Sequence, residues 1–262
     1  MKKLLSLIIG IGLFLGHINY SFAESPVVED SASFSGSGSN FSVTLPTGIT
    51  SGDLLIMIVG FNQFSTVTIS GWTQASVQEY FGKYYVFYKV ASGSEGATQS
   101  VSYGTTTNCV AQTYRISGNL DVGSYPPEVG VANGSLDPPS LSPSYGSQDY
   151  LWIASANVEQ NGSGAYINGY PSGYSNTGNV AISSALALGW GTKESTATSE
   201  NPSTFAGAPA AYYTSRIIAI PGEVTGWSAF STVIGVDPTT LSTVMGADVT
   251  TVSTFMGVST GI

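Results

Sequence analysis

The same strand pattern occurs twice in this chain, about one hundred residues apart. Residues 51–62 read SGDLLIMIVGFN, and residues 147–158 read SQDYLWIASANV. Each copy is followed by a Gly-aromatic turn, at Gly71 and at Gly169, and then by an alternating apolar strand. A repeated pattern of this length predicts two similar sheets packed as one unit, or two similar β-domains.

The remaining strands of the two halves also correspond. The first half closes on CVAQTYRISG from Cys109 and the second on YYTSRIIAIPG from Tyr212. The unbroken apolar run at 54–61 is typical of a strand buried on both faces. We therefore expect an all-β, jelly-roll-like β-sandwich over residues 24–222, built from similar halves at about 40–118 and 129–222. A Pro-rich bridge at 119–147 overlaps the first edge strand of the second half.

The first 23 residues have the features of a secretory signal peptide. Lys2 and Lys3 precede an apolar segment at 4–16, and Ser21-Phe22-Ala23 provides the small residues that signal peptidase requires. A segment of thirteen residues is too short for a resident transmembrane helix. The sequence thus predicts a secreted protein (extracellular, cell-surface or periplasmic) with no membrane span after cleavage.

Charge and composition exclude several function classes. The formal net charge is −9, and after residue 23 only five basic residues remain, so nucleic acid is not an expected partner. The sole histidine, His17, lies in the signal segment, which argues against His-based catalysis and His-ligated metals. Cys109 is alone and is expected in the core, while Lys83 and Lys89 are expected on the solvent side of their strand. We expect no cofactor, no metal site and no catalytic residues.

Three copies of an eleven-residue unit begin at Phe230, Leu241 and Val252. Eleven residues are three helical turns, and Asp237-Pro238 resembles a helix start, so the spacing predicts three short helical turns with one apolar stripe. Such short helices need a partner, which makes the stripe a candidate for homo-oligomer assembly; a flexible tail is the alternative. The stripe comprises Phe230, Val233, Ile234, Leu241, Val244, Met245, Val252, Phe255 and Met256.

A Gly/Tyr/Asn-rich loop at 160–179 is the candidate ligand-binding segment. Rigid tyrosines among small and amide residues are typical of binding loops, and aromatic planes can stack on sugar rings. The alternative is that some of these tyrosines pack on the edge of the sandwich. The candidate residues are Tyr166, Tyr170, Tyr174, Asn168 and Asn176.

Several motifs of the first half resemble a widespread family. The segments TLPTGITSGDLLIMIVG, GWTQ, YYVFYKVASGSE and VAQTYRISG are similar to those of secreted and phage-associated two-half β-sandwich domains of unassigned function. The similarity covers residues 41–222, although the second half departs from it with Gln148 in place of Gly and Tyr170 in place of Trp. The resemblance implies a structural or adhesive module and supplies no catalytic residues.

These observations favour a secreted, non-catalytic structural or adhesive module displayed on a cell surface or virion-like particle. Its expected partner is a glycan or a surface protein. A carbohydrate-binding, lectin-like module that uses the tyrosine loop is the alternative. A glycan hydrolase is the second alternative, because glycosidases need only two carboxylates.

Overall fold

The computed structural model describes residues 25–159, 164–182, 185–208 and 212–222, and the backbone of four two-residue strands between 233 and 256. The predicted signal segment at 1–23 lies outside the described residues. Two five-stranded antiparallel sheets form the described part of the chain. The first sheet consists of β1 (Val27–Thr44), β2 (Leu54–Phe61), β3 (Thr73–Glu79), β4 (Lys83–Val90) and β5 (Thr98–Ser117). The second consists of β6 (Glu128–Asn133), β7 (Gln148–Glu159), β9 (Ser175–Ile182), β10 (Leu186–Ala197) and β12 (Tyr212–Pro221).

The two sheets have the same topology. Their strand orders are β1-β5-β2-β4-β3 and β6-β12-β7-β10-β9, so each half forms its own sheet and β2 corresponds to β7. β1 lies near β9 and β3 near β6, which places β2 across from β7 at the centre. The expected all-β sandwich of two similar halves is therefore confirmed, and it takes the form of two similar sheets packed as one unit.

One core joins the sheets. Leu54, Ile56 and Ile58 of β2 pack in the same cluster as Leu151 and Ile153 of β7. All residues of β2 are buried, as the apolar run at 54–61 predicts, because the strand has a hydrophobic cluster on each face. Burying these side chains on both faces contributes about 25 cal/mol for each Å² of apolar surface removed from water.

The halves match with an offset of one residue from the alignment that the sequence suggests. That alignment pairs Leu54 with Tyr150, but Leu54 faces the opposite sheet and Tyr150 packs in an outer cluster. Leu54 pairs with Ile116, and Leu151 pairs with the corresponding Ile220. Because side chains alternate between faces, a shift of one residue reverses every position of a strand.

The first sheet begins within the Ser/Gly-rich segment that precedes residue 40. β1 starts at Val27 and pairs with β5 along its length, with a register shift between Gly38 and Asn40. Beyond that shift, Phe41 and Val43 pack with Met57 on the outer face of the sheet. Small alternating residues in 30–39 suit an edge strand, although their low hydrophobicity hides it in the sequence.

The outer face of the second sheet is covered by shorter segments. β8 (Ile167–Gly169) pairs with β11 (Ala206–Gly207), and Ile167 packs against Val158 of β7 and Phe205 in one cluster. Gly189 of β10 lets β8 lie close against the sheet, since a Cβ at Gly189 would lie 2.5 Å from the Ile167 side chain.

The repeat segment contains short strands where helical turns are predicted. β13 (Val233–Ile234) pairs in parallel with β16 (Phe255–Met256), and β14 (Thr243–Val244) pairs with β15 (Ala247–Asp248). The helical interpretation is thus wrong at these residues, in keeping with the low helix propensity of their β-branched members. The side chains of the stripe from Phe230 to Met256 lie outside the described residues, and their role in assembly stays a prediction.

Candidate binding surface at one end of the sandwich

Exposed aromatic side chains concentrate at one end of the sandwich. The C-terminal ends of β2 and β7 meet at this end. Their proximity is shown by Gly60, where a Cβ would lie 2.9 Å from the Asn157 side-chain amide. Five aromatic side chains of the described residues are strongly exposed, and four of them belong to loops or strand ends at this end. They are Phe64 (56%), Phe81 (45%), Tyr166 (42%) and Tyr212 (39%), and with Tyr80 they form what we name the aromatic end.

Phe81 and Tyr212 form a stacked pair that connects the two sheets. Their ring centroids lie 3.4 Å apart with an interplanar angle of 11°. Tyr80 meets both rings edge-on, at centroid distances of 5.1 Å from Phe81 and 6.3 Å from Tyr212. Phe81 comes from the β3–β4 turn of the first sheet and Tyr212 from the start of β12 in the second. Each half thus contributes a ring to one exposed surface.

The β3–β4 turn holds Phe81 in an unusual backbone conformation. The Tyr80 amide donates to the Gly82 carbonyl over 3.0 Å, and Phe81 takes a φ of +54°. A bulky side chain in this left-handed region costs about 1–3 kcal/mol. The neighbouring glycine cannot be exchanged for a larger residue, because a Cβ at Gly82 would collide with the Phe61 carbonyl and lie 2.9 Å from the Glu159 carboxylate. The turn therefore places a strained aromatic ring where glycine or asparagine would be less costly.

Charges beside the stacked pair are neutralised within the protein. The Lys83 ammonium lies 2.6 Å from the Glu79 carboxylate and donates to the Thr66 hydroxyl over 3.1 Å. Lys83 is buried, so the expectation of a solvent-side lysine is wrong: the position starts β4 beneath the 62–66 loop. The hydrogen bond to Glu79 raises the pKa of Lys83, which keeps the pair ionised and mutually compensated.

Glu159 lies at the end of β7 below the aromatic rings. Its carboxylate accepts a hydrogen bond of 3.0 Å from the Tyr84 hydroxyl. Burial raises the pKa of Glu159 to about 7, and the Tyr84 hydrogen bond opposes that rise. Burial of the Tyr84 hydroxyl, together with the neighbouring Glu159 charge, raises the pKa of Tyr84 well above its usual value. Near neutral pH a large fraction of Glu159 is consequently uncharged.

Arg216 is a fully buried guanidinium between the sheets. It donates to the Asn157 amide oxygen over 2.7 Å and to Gln78 and Thr214 over 3.4 Å each. Its guanidinium carbon lies 5.6 Å from the centre of the Tyr84 ring. Burial lowers the pKa of Arg216 to about 10. These contacts tie β12, β7 and β3 together directly beneath the aromatic end.

The tyrosine loop is divided between surface and packing roles. Tyr166 and Asn168 are exposed, whereas the Tyr170 ring lies edge-on to Phe205 at 6.3 Å. Tyr174 is half-buried, lies 6.0 Å from the Lys193 ammonium and donates to Glu200 over 3.4 Å. Burial and Glu200 raise the pKa of Tyr174 above its usual range.

The candidate residues of this loop therefore do not form one platform. The Asn176 side-chain amide donates to Thr192 over 3.1 Å, and residues 160–163 lie outside the described residues. Tyr166 alone among the three tyrosines joins the aromatic end. The sequence does not predict the Phe81–Tyr212 pair, because a stacked contact between residues far apart in the chain leaves no local pattern. The one local signal is a Phe directly before a turn glycine.

The opposite end of the sandwich holds a polar cavity. It has a volume of about 230 Å³ and is lined by Ser25, Asp149, Tyr150, Glu194, Ser195 and Thr196. The Asp149 carboxylate accepts hydrogen bonds from the hydroxyls of Thr196 and Ser25, and the Asp149 carbonyl accepts from the Gly222 amide over 2.7 Å. Within the described residues, no group of three or more His, Cys, Asp or Glu side chains is placed to hold a metal ion.

Comparisons with known proteins give no family assignment. No family model, no curated protein and no solved structure matches the chain. The resemblance to secreted and phage-associated domains stays a prediction. Among the described residues, the structure contains no helix with the length and apolar character needed to cross a membrane.

Proposed function

We propose that the protein is a secreted, non-catalytic adhesive module that binds a surface through its aromatic end. The concentration of exposed rings from both halves at this end is the observation that carries the proposal. Monomeric soluble proteins seldom gather large apolar side chains in one exposed patch unless the patch binds something. The strain at Phe81 supports a functional reason for keeping that ring exposed.

The entry and exit of the chain suit this role. Ser25 bonds to Asp149, and a Cβ at Gly222 would collide with Pro26, so both ends of the sandwich domain meet at the cavity end. The first and last described residues of the sandwich, Ser25 and Gly222, therefore both lie at the end opposite the aromatic end. A module attached at either residue presents its rings away from the point of attachment.

A cell-adsorption assay tests the proposal. The wild-type chain and a variant that combines Phe81→Gly with Tyr212→Ala are coupled to beads through a C-terminal tag. The beads are then exposed to a panel of intact bacterial and animal cells. We expect wild-type beads to retain at least one cell type and the double variant to retain about tenfold fewer cells, as for loss of a central aromatic contact.

The matched control is Tyr125→Ala. Tyr125 is 37% exposed and lies in the 118–127 connection, away from the aromatic end. Its replacement is expected to leave adsorption unchanged. Adsorption that is equal for wild type and double variant, or absent for wild type on every cell type, would refute the adhesive role of this surface.

A further inference from the structure

The aromatic end has a chemical character that narrows its ligand. Its rings provide planar apolar surface. The Lys83 ammonium beside them is buried and already paired with the Glu79 carboxylate. An anionic ligand would therefore meet no free positive charge from Lys83 and would approach a protein of net charge −9. This disfavours phosphate, sulfate and acidic lipid as ligands.

The net charge of −9 attracts cationic ligands in general, but the two carboxyl groups beside the rings offer them little local charge. Glu79 is neutralised by Lys83, and the Glu159 carboxyl is half-buried and bonded to Tyr84. The rings thus lie among groups that are neutral or internally compensated. Two exposed amides belong to the same end of the sandwich: Asn133 pairs with Thr214, two residues from Tyr212, and Asn168 is two residues from Tyr166. Such groups bond to hydroxyls without requiring a charge on the ligand.

We propose that the aromatic end binds a neutral polysaccharide, whose pyranose rings stack on the Phe81–Tyr212 pair and extend toward Tyr166 and Phe64. The apolar C–H face of a pyranose is planar enough to cover an aromatic ring, while its equatorial hydroxyls reach the neighbouring amides. The rings are exposed and come from both sheets, which suits a polymer chain lying across the surface. This inference rests on the proposed adhesive function and names the ligand class for the same surface.

The strain at Phe81 makes glycine a suitable replacement, because relief of the strained backbone offsets part of the ring contacts that are lost. Glycine adopts a φ of +54° freely, so Phe81→Gly relieves the strained turn. Tyr212→Ala removes the second ring, and Tyr212→Phe keeps the ring while deleting its hydroxyl. Urea unfolding curves of all variants check that the fold persists.

Depletion binding to insoluble cellulose, chitin and starch granules is the test, with phosphatidylcholine vesicles as the apolar comparison. We expect wild type, Tyr212→Phe and Tyr125→Ala to bind at least one of the polysaccharides with similar partition constants. Phe81→Gly and Tyr212→Ala are each expected to lower that constant about tenfold. Binding should persist at 1 M salt, since no ion pair is involved.

Three outcomes would overturn the inference: binding to no polysaccharide, binding that survives both ring deletions, or ring-dependent binding to vesicles alone. Cell adsorption that depends on the rings, together with no polysaccharide binding, would refute the glycan assignment and leave the adhesive function standing. The absence of both ring-dependent cell adsorption and polysaccharide binding would refute the two proposals together.

Discussion

At the scale of single residues, Glu159 connects the aromatic end to the stability of the fold. Its carboxyl is half-buried at the end of β7 and its pKa is raised to about 7, from an ordinary value of 4.5. The folded state therefore binds this proton more tightly than the unfolded chain does. Its contribution to stability is complete below pH 4.5 and is lost as the pH rises through about 7.

Glu159→Gln is expected to remove this pH dependence. Glutamine can still accept the hydrogen bond from Tyr84 but carries no charge to desolvate. Between pH 5 and pH 8 the free energy of unfolding of the variant should rise relative to wild type by about 1–2 kcal/mol, because a half-buried carboxyl keeps part of its solvation. Urea unfolding at the two pH values measures the difference, and parallel pH profiles for the two proteins would contradict the assignment.

At the scale of elements, the link from Arg216 on β12 to Asn157 on β7 and Gln78 on β3 joins the sheets through polar contacts. The described residues form no salt bridge with Arg216, and its Nε atom has no hydrogen-bond partner in the structure. A buried charge without a counter-charge stabilises little, because the desolvation cost offsets its hydrogen bonds. This link therefore contributes to the register of the strands more than to the free energy of folding.

The two partners should respond differently to substitution. Arg216→Met removes the desolvation cost of the guanidinium but leaves the buried Asn157 amide oxygen without its donor, so the two effects partly cancel and the free energy of unfolding is expected to change by less than about 2 kcal/mol. Asn157→Ala leaves the buried guanidinium without its shortest hydrogen bond and should cost about 2–4 kcal/mol. Chemical denaturation of both variants decides the matter; a larger loss for Arg216→Met than for Asn157→Ala would reverse this account.

The sequence predicts strands better than it predicts faces or contacts. The apolar run of β2 and the duplicated pattern identify the two sheets, because strand periodicity is local information. The one-residue offset between Leu54 and Leu151 is not visible, since both Leu54 and Leu55 are apolar and either could face the core. The start of β1 at Val27 is not predicted, because the Ser- and Gly-rich segment that follows has only a weak apolar signal. The Phe81–Tyr212 contact depends on how the sheets pack, which no local pattern encodes.

The shared core makes the two halves interdependent. The inner faces of both sheets contribute to one cluster, so an isolated half would expose apolar strands to water. We therefore expect the sandwich to unfold in a single cooperative transition.

Cys109 offers a probe of that transition. It is the only cysteine, it is fully buried in β5, and burial raises the pKa of its thiol. In a variant with Trp72→Phe and Trp227→Phe, the fluorescence of Trp152 and Trp190 reports on the second half. Thiol labelling of Cys109 and this fluorescence should give the same urea midpoint, whereas two separated midpoints would show that the halves unfold independently.

The single connection at 118–127, between β5 and β6, is the link that joins the two sheets along the chain. Each half completes its own sheet before the chain passes to the other half. The inner face of the first sheet can therefore pack on the second sheet of its own chain or on that of another copy. Two molecules whose connections open outward can exchange second halves and rebuild both cores from the same contacts. The duplicated architecture thus permits a domain-swapped dimer that has two aromatic ends.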